Sequence, residues 1–380
     1  MNILITGSNG FIGKNLVSEL NNIVSGKRIH KLSDKELKLF CFDKNSTDEE
    51  LFEYCKDCDV IVHLAGVNRP KDNSEFTIGN YDFTKHIVDL LYKFGNYPNI
   101  IATSSTQAEL DNPYGNSKKQ MEELLFDYEK HTKAKAYVYR LPNVFGKWSR
   151  PNYNSAIATF CYNISRDIPI IVNNRDTELN LVYIDDLVEE LIQAILGIAN
   201  KNGIYCYVKN TTKAYLGEIV DIISSFKAMR SNLNVPDMSN ILIKQLYSTY
   251  LSFLDEDNFS YPLTMHSDNR GSFTEIIRTA QNGQFSVNII KPGVVKGNHW
   301  HHTKNEKFLV VSGNGVIRFR KIGENQIKEY FVSGENLEVV DIPVGYTHNI
   351  ENLGQSDMVT FMWANECFDK NKPDTYFEEV

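Results

Sequence analysis

Hydrophobic positions fall into two regimes along the chain. From residue 1 to about 245, short apolar runs alternate with amphipathic stretches. The runs at 2–6, 38–42, 60–64, 100–104 and 136–140 have strand length, and the stretches at 11–20, 84–92 and 117–130 between them have helical character. Such alternation predicts a parallel sheet with helices on both faces. From about residue 261 the pattern changes. Short β-rich runs at 284–290, 306–311, 316–320, 329–332, 338–342 and 359–363 are separated by Gly, Asn and Pro turns, with no long helical period between them. That predicts an all-β sandwich or barrel. The intervening residues 231–260 are polar, contain Pro236 and read as a helix-containing connection. The expected plan is an α/β domain over 1–245, a linker over 246–260 and an all-β domain over 261–380.

A chain of 380 residues exceeds what one small core organises, which agrees with two domains. The formal net charge of -8, with no basic run, argues against nucleic acid or an anionic membrane as partner. No apolar run approaches the roughly 20 residues needed to span a bilayer. The opening M-N-I-L-I-T-G enters a strand directly, without the pattern of a signal peptide, so a cytoplasmic location is expected. The six cysteines (Cys41, Cys55, Cys58, Cys161, Cys206 and Cys367) do not make a disulfide framework for this length. Cys55 and Cys58 form a C-x-x-C inside a predicted helix with no second pair, and are expected to be plain reduced thiols.

Candidate chemistry appears at both ends. In the β-rich part, His299 and His301 are two apart, so on a strand both leave the same face. Glu306 follows a short turn, and His348 comes from a distant strand. Three imidazoles and one carboxylate suit a divalent ion such as Zn²⁺, with room for water or substrate. In the α/β part, G-S-N-G-F-I-G places Gly7, Gly10 and Gly13 directly after the first strand and at the start of a helix. Glycines there permit a tight turn and let the backbone approach a pyrophosphate, which the helix N-terminus favours electrostatically. Further on, T-S-S-T at 103–106 precedes P-Y-G-N-S-K at 113–118. Tyr114 and Lys118 are one helical turn apart and share a face. A phenol titrates near pH ~10, and a nearby ammonium lowers that toward a useful range. Ser105 would hold the substrate oxygen.

With H-L-A-G (63–66), Asn80, R-L-P-N-V-F-G (140–146) and V-Y-I-D-D-L (182–187), these motifs make residues 1–245 resemble an extended short-chain dehydrogenase/reductase with a Rossmann-type fold. Relatives of that kind mostly act on nucleotide-activated sugars. The resemblance implies that Ser105, Tyr114 and Lys118 are catalytic. It implies that Gly7, Gly10, Ile12, Gly13, Leu64, Ala65, Tyr114 and Lys118 border the cofactor, and that Asn143 and Arg175 contact substrate. Asp43, after the second predicted strand, would favour a free ribose hydroxyl and NAD; Lys44 beside it would pair with a 2′-phosphate. The expectation adopted is NADPH, the usual reductant of biosynthesis.

The C-terminal part resembles the cupin superfamily, a jelly-roll barrel. The pattern G-x5-H-x-H-x4-E-x6-G runs in full from Gly293 to Gly313, and P-x-G-x2-H-x3-N runs from Pro343 to Asn352. The glycine that opens the second pattern is replaced by Leu337. D-N-R-G-S-F-T-E (268–275) is similar to the opening strand of sugar-nucleotide cupin epimerases, which implies that Arg270 holds a diphosphate bidentately. The joined architecture, with G-V-N-R-P (66–70) and R-P-N-Y-N-S (150–155), resembles the CapF family of bifunctional capsular polysaccharide synthesis enzymes. That resemblance implies a homodimer acting on a UDP-linked 4-keto-6-deoxy amino sugar on the route to UDP-N-acetyl-L-fucosamine. The cupin, holding Zn²⁺, would epimerise C3 and the reductase would then reduce C4. The rival expectation is a reductase whose zinc cupin serves only binding or dimerisation.

Overall fold

The computed structural model describes residues 1–153, 155–279, 281–369 and 373–380; Asn154 of the R-P-N-Y-N-S run lies outside them. The chain sorts into two compact units, Met1–Ser224 with Gln245–Asp255, and Ser225–Lys244 with Glu256–Val380. The residues expected to connect two domains are thus divided between the units, and a helix (Ile241–Leu251) forms among them.

The first unit is a Rossmann-like α/β domain. Strands β1 (Asn2–Thr6), β2 (Lys38–Phe42), β3 (Val60–His63), β4 (Asn99–Ser105) and β5 (Ala136–Leu141) are parallel. Short strands β6 (Asn143–Phe145), β7 (Glu178–Tyr183), β8 (Lys201–Asn202), β9 (Tyr205–Cys206) and β10 (Thr212–Tyr215) follow. The main sheet has the order β2-β1-β3-β4-β5-β9-β8, and β10-β7-β6 form a small second sheet. The helices are α1 (Phe11–Val24), α2 (Asp48–Asp57), α3 (Ser74–Phe76), α4 (Phe83–Phe94), α5 (Pro113–His131), α6 (Ala156–Ser165) and α7 (Ile184–Ile195). Successive strand residues point to opposite faces. Ile3 and Ile5 therefore pack into a core with Leu16, Leu20 and Leu187, whereas Leu4 packs on the other side with Leu91, Met121 and Leu125. A strand buried on both faces needs helices on both, which is why β1 is a continuous apolar run. The chain goes from β1 to both neighbours of β1 in space, so the crevice at the carboxyl ends of β1 and β3 is where such sheets bind ligands.

The second unit is antiparallel β. Its strands are β11 (Met265–Asp268), β12 (Gly271–Thr279), β13 (Gly283–Ile290), β14 (Val295–Trp300), β15 (Glu306–Ser312), β16 (Asn314–Lys321), β17 (Ile327–Ser333), β18 (Val339–Ile342), β19 (Tyr346–Asn352), β20 (Met358–Ala364) and β21 (Tyr376–Phe377). They form two sheets, β11-β12-β13-β20-β15-β18 and β17-β16-β19-β14-β21. Ile290, Phe308, Val310, Ile317, Phe319, Ile350 and Met358 pack into a shared core. The arrangement is that of a cupin-like jelly roll.

Candidate active site and metal centre

In the first unit the turn expected to cradle a dinucleotide is assembled from glycines with different tasks. Gly7 has φ +70°, and a Cβ there would meet the Ala65 nitrogen at 2.7 Å. A Cβ on Gly13 would lie 2.2 Å from the Gly7 carbonyl oxygen, so this glycine is needed for helix-to-turn packing. Gly10 caps α1 without a side-chain hydrogen bond, and no acid stands in the first turn. That leaves the first-turn N–H groups and the positive end of the helix for an anion, so the residues present fit a dinucleotide pyrophosphate. Ile12 and Leu64 pack against the core beneath the turn. Asp43 follows β2 directly; its carboxylate accepts the Asn45 N–H at 2.7 Å, while Lys44 is exposed.

Ser105, Tyr114 and Lys118 meet at the end of β4. Asn112 caps α5 by accepting the Gly115 N–H at 2.8 Å, which fixes Tyr114 in the first turn. A Cβ on Gly115 would lie 2.2 Å from the Gln107 carbonyl oxygen, so glycine lets α5 close on the loop that follows Ser105. Burial pushes the Tyr114 phenol up, and a hydrogen bond to Ser105 opposes that. Lys118 is only 6% exposed and donates to the Thr103 carbonyl at 3.2 Å. Burial pushes its pKa down to about 8, with Glu122 opposing. Gly66 makes room for this lysine: a Cβ there would meet the Lys118 Nζ at 3.1 Å and the Asn80 Oδ1 at 2.8 Å. Asn80 in turn donates to the Val67 carbonyl at 3.2 Å and the Ser117 hydroxyl at 3.0 Å, from within a π-helical turn at Thr77–Asp82. Asn143 and Arg175 are exposed and engaged by neighbours. Asn143 donates to the Asn180 carbonyl at 3.4 Å, and Arg175 pairs with Asp221 at 2.6 Å. The C-x-x-C thiols are buried, and burial pushes Cys55 up to about 12, an inert setting.

In the second unit His299, His301, Glu306 and His348 converge. One ligand atom from each lies within 4.8 Å of all the others. His299 stands opposite His348 across β14 and β19, and Glu306 opens β15 in the facing sheet. His301 and His348 are 2% and 1% exposed. Their Nε2 atoms lie 3.5 and 3.4 Å from the Glu306 Oε2, too far for good hydrogen bonds. Among the described residues, His301 Nε2, Glu306 Oε2 and both His348 ring nitrogens are buried with no hydrogen-bond partner. Leaving such atoms unpaired costs about 1–3 kcal/mol each, a cost that a shared cation removes at one nitrogen of each ring and at the carboxylate oxygen. The residues present therefore fit a divalent metal. Burial pushes His299 down to about 4, which favours the neutral ring a metal needs. Desolvation, the largest influence on Glu306, raises its pKa; the facing histidines outweigh it and keep the group a carboxylate.

These ligands line a cavity of about 990 Å³. Arg270, expected to bind diphosphate, lies on its wall but is exposed and paired with Asp268 at 2.6 Å. Sequence reasoning missed Lys296 on the same wall. Its ammonium donates to the Asn288 Oδ1 at 2.9 Å and the Ile289 carbonyl at 3.2 Å, and burial lowers its pKa. The signal available was its place inside the first cupin pattern, three residues ahead of His299.

A Rossmann-like domain carrying a Ser–Tyr–Lys set, followed by a cupin-like β domain carrying a four-ligand cluster, is the class this architecture defines. Residues 3–205 match the NAD dependent epimerase/dehydratase family, and residues 266–376 match the polysaccharide biosynthesis C-terminal domain. The chain is 44% identical to UDP-2-acetamido-2,6-beta-L-arabino-hexul-4-ose reductase of Pseudomonas aeruginosa, over 99% of this chain and 98% of that protein. It matches the crystal structure of the capsular polysaccharide assembling protein CapF from Staphylococcus aureus at 54% identity, with TM-score 0.91 and full coverage of both chains. A second CapF structure, with the inhibitor 3-isopropenyl-tropolone, matches at 49% identity, TM-score 0.88 and full coverage of both chains. Through residues 3–205 the chain belongs to the NAD dependent epimerase/dehydratase family, and along its whole length it belongs to the CapF family. No helix among the described residues is long and apolar enough to cross a membrane.

Proposed function

We propose that this protein is a bifunctional enzyme of capsular polysaccharide synthesis. The second unit epimerises C3 of UDP-2-acetamido-2,6-dideoxy-β-L-arabino-4-hexulose. The first unit reduces C4 with NADPH, giving UDP-2-acetamido-2,6-dideoxy-β-L-talose. The named activity of the Pseudomonas relative supports the substrate class. The observation that carries the two-step reading is the cluster of four convergent ligands, three of which have buried atoms without a hydrogen-bond partner among the described residues, inside a cavity large enough for a sugar nucleotide.

A divalent ion, Zn²⁺ in this reading, would be held by His299, His301, Glu306 and His348, and when bound supplies Lewis acidity that makes C3–H of a 4-ketosugar acidic. Lys296 contributes a positive charge where negative charge develops on the sugar oxygen. Arg270 leaves Asp268 to hold the diphosphate. In the first unit, NADPH supplies hydride when bound, and Lys44 pairs with its 2′-phosphate. Tyr114, kept protonated by burial, gives its proton to the C4 oxygen. Lys118 orients the ribose and stabilises the phenolate left behind, and Ser105 steadies the carbonyl. A tropolone is a bidentate oxygen donor to divalent metals, so the inhibitor in the CapF complex is chemically compatible with this site. The protein acts in the cytoplasm as a homodimer.

His348→Ala tests the reading. A catalytic metal predicts a folded protein that still reduces the C3-epimerised ketone but no longer exchanges C3–H. A metal that serves only as a staple predicts loss of folding in the second unit instead.

A further inference from the structure

We infer that the C-terminal segment 373–380 is a strap that completes the metal centre, with Asp374 as the positioning residue. The inference rests on the metal reading above. The Asp374 carbonyl lies 2.6 Å from the His301 Nδ1. A carbonyl oxygen only accepts, so Nδ1 must carry the ring proton, which leaves the Nε2 lone pair facing the other three ligands. The same residue organises the loop that follows. Its carboxylate accepts the backbone N–H groups of His302 at 3.0 Å, Thr303 at 2.9 Å and Lys304 at 2.9 Å, and the Thr303 hydroxyl at 3.0 Å. One aspartate thus sets both the tautomer of a ligand and the path from His301 toward Glu306.

Asp374 adopts φ +35°, a conformation that non-glycine residues hold only when their surroundings over-determine it. The rest of the segment supplies that restraint. Phe377 and Tyr376 pair with His299 and Trp300, extending the sheet at the ligand strand. The Glu378 N–H donates to the Asn298 carbonyl at 3.0 Å, and the Glu378 carbonyl accepts from the Thr347 hydroxyl, next to His348. Arg320 ties down the end by donating to the Glu378 carboxylate at 2.9 Å and the Glu379 carbonyl at 2.5 Å. The strap therefore contacts residues beside three of the four ligands, through backbone next to His299 and His301 and through the Thr347 hydroxyl next to His348. Groups that hold the second nitrogen of a ligating histidine typically change metal affinity by about 10–100-fold.

The test uses the full-length protein, wild type and Asp374→Ala, titrated with Co²⁺ and with Zn²⁺ against a chelator, alongside NADPH titration. Asp374→Ala keeps the main-chain carbonyl but removes the carboxylate that anchors residue 374 to the His302, Thr303 and Lys304 N–H groups, so the carbonyl is no longer held at His301 Nδ1. The expected result is about 10–100-fold weaker metal binding and an altered Co²⁺ d–d spectrum in the variant, with unchanged NADPH affinity. Asp374→Asn, which keeps a side-chain oxygen acceptor, should restore part of the affinity and most of the spectrum. It also serves as the measurement if Asp374→Ala does not fold. Wild-type affinity and an unchanged spectrum in the variants overturn the inference while leaving the metal reading intact. Failure of the wild type to bind either ion overturns both.

Discussion

Lys296 and His299 are three residues apart on β14, yet both line the cavity that holds the His299, His301, Glu306 and His348 cluster. In an unbroken strand an odd separation sends side chains to opposite faces. The register shows how this is avoided: Lys296 lies opposite Ile350 and His299 opposite His348, so three steps on β14 match two on β19. The extra residue is taken up at Gly297, φ +107°, and Asn298, φ +58°, whose side-chain oxygen accepts from the Asn349 amide at 2.9 Å. Bulges are a known device for re-aiming a side chain beside an active site.

Gly297→Ala should damage this device. A Cβ there would lie 2.8 Å from the His348 carbonyl oxygen, at a backbone angle that disfavours any side chain. The expected cost is about 1–3 kcal/mol, read as a lower melting temperature and less zinc per chain by elemental analysis. Gly26→Ala is the control. Gly26 also has positive φ, +72°, but a Cβ there would meet nothing within 4 Å, so zinc content should be unchanged.

Lys296→Met keeps the bulk of the stem and removes the charge. Exchange at C3 should fall by about 10²–10³-fold, the usual cost of losing one group that stabilises a developing oxyanion. Metal content should stay the same, as should reduction of a substrate supplied already epimerised. Stopped-flow NADPH oxidation and NMR exchange read the two steps separately.

Tyr114→Phe should reverse that pattern. Reduction should drop by about 10²–10⁴-fold, the range for loss of a general acid. NADPH binding, followed by fluorescence, and C3 exchange should persist.

The pH dependence of the reduction follows from Lys118, whose ordinary value of 10.5 is pushed down to about 8 by burial. As pH rises past about 8 the folded lysine loses its charge, so kcat/KM for NADPH should descend there. Stability moves the other way. Between about 8 and 10.5 the unfolded chain holds the extra proton, so this group's contribution to stability increases with pH across that window. Lys118→Arg should remove the descending limb at a lower overall rate, since a guanidinium does not titrate in this range.

Much of this was legible because certain residues carry their geometry in their spacing. The run at 2–6 is the strand β1, and the run at 284–290 lies within β13. The i, i+4 pair Tyr114 and Lys118 lies on α5, and the H-x-H-x4-E spacing brings three ligands to one place once the chain folds as a cupin. What stayed hidden lies in the backbone. Gly297 and Asn298 are residue types that tolerate positive φ, but their order alone does not say that the strand bulges there, and that bulge decides which way Lys296 points. Asp374 holds His301 through a main-chain carbonyl, which every residue possesses, across 73 positions of sequence. The sheet β10-β7-β6 was likewise unreadable, because β6 and β10 are three and four residues long, too short for an alternation to register.

In the proposed reaction a bound ketone becomes acidic at C3 in the second unit before any hydride is transferred in the first. Incubating the metal-loaded protein with the UDP-4-ketosugar in deuterated water, without NADPH, tests it by proton NMR. The expected result is loss of the C3 proton signal with solvent deuterium in its place, abolished by chelation and unaffected by Tyr114→Phe. Retention of an unlabelled C3 proton by a preparation that turns over the same substrate once NADPH is added would contradict it.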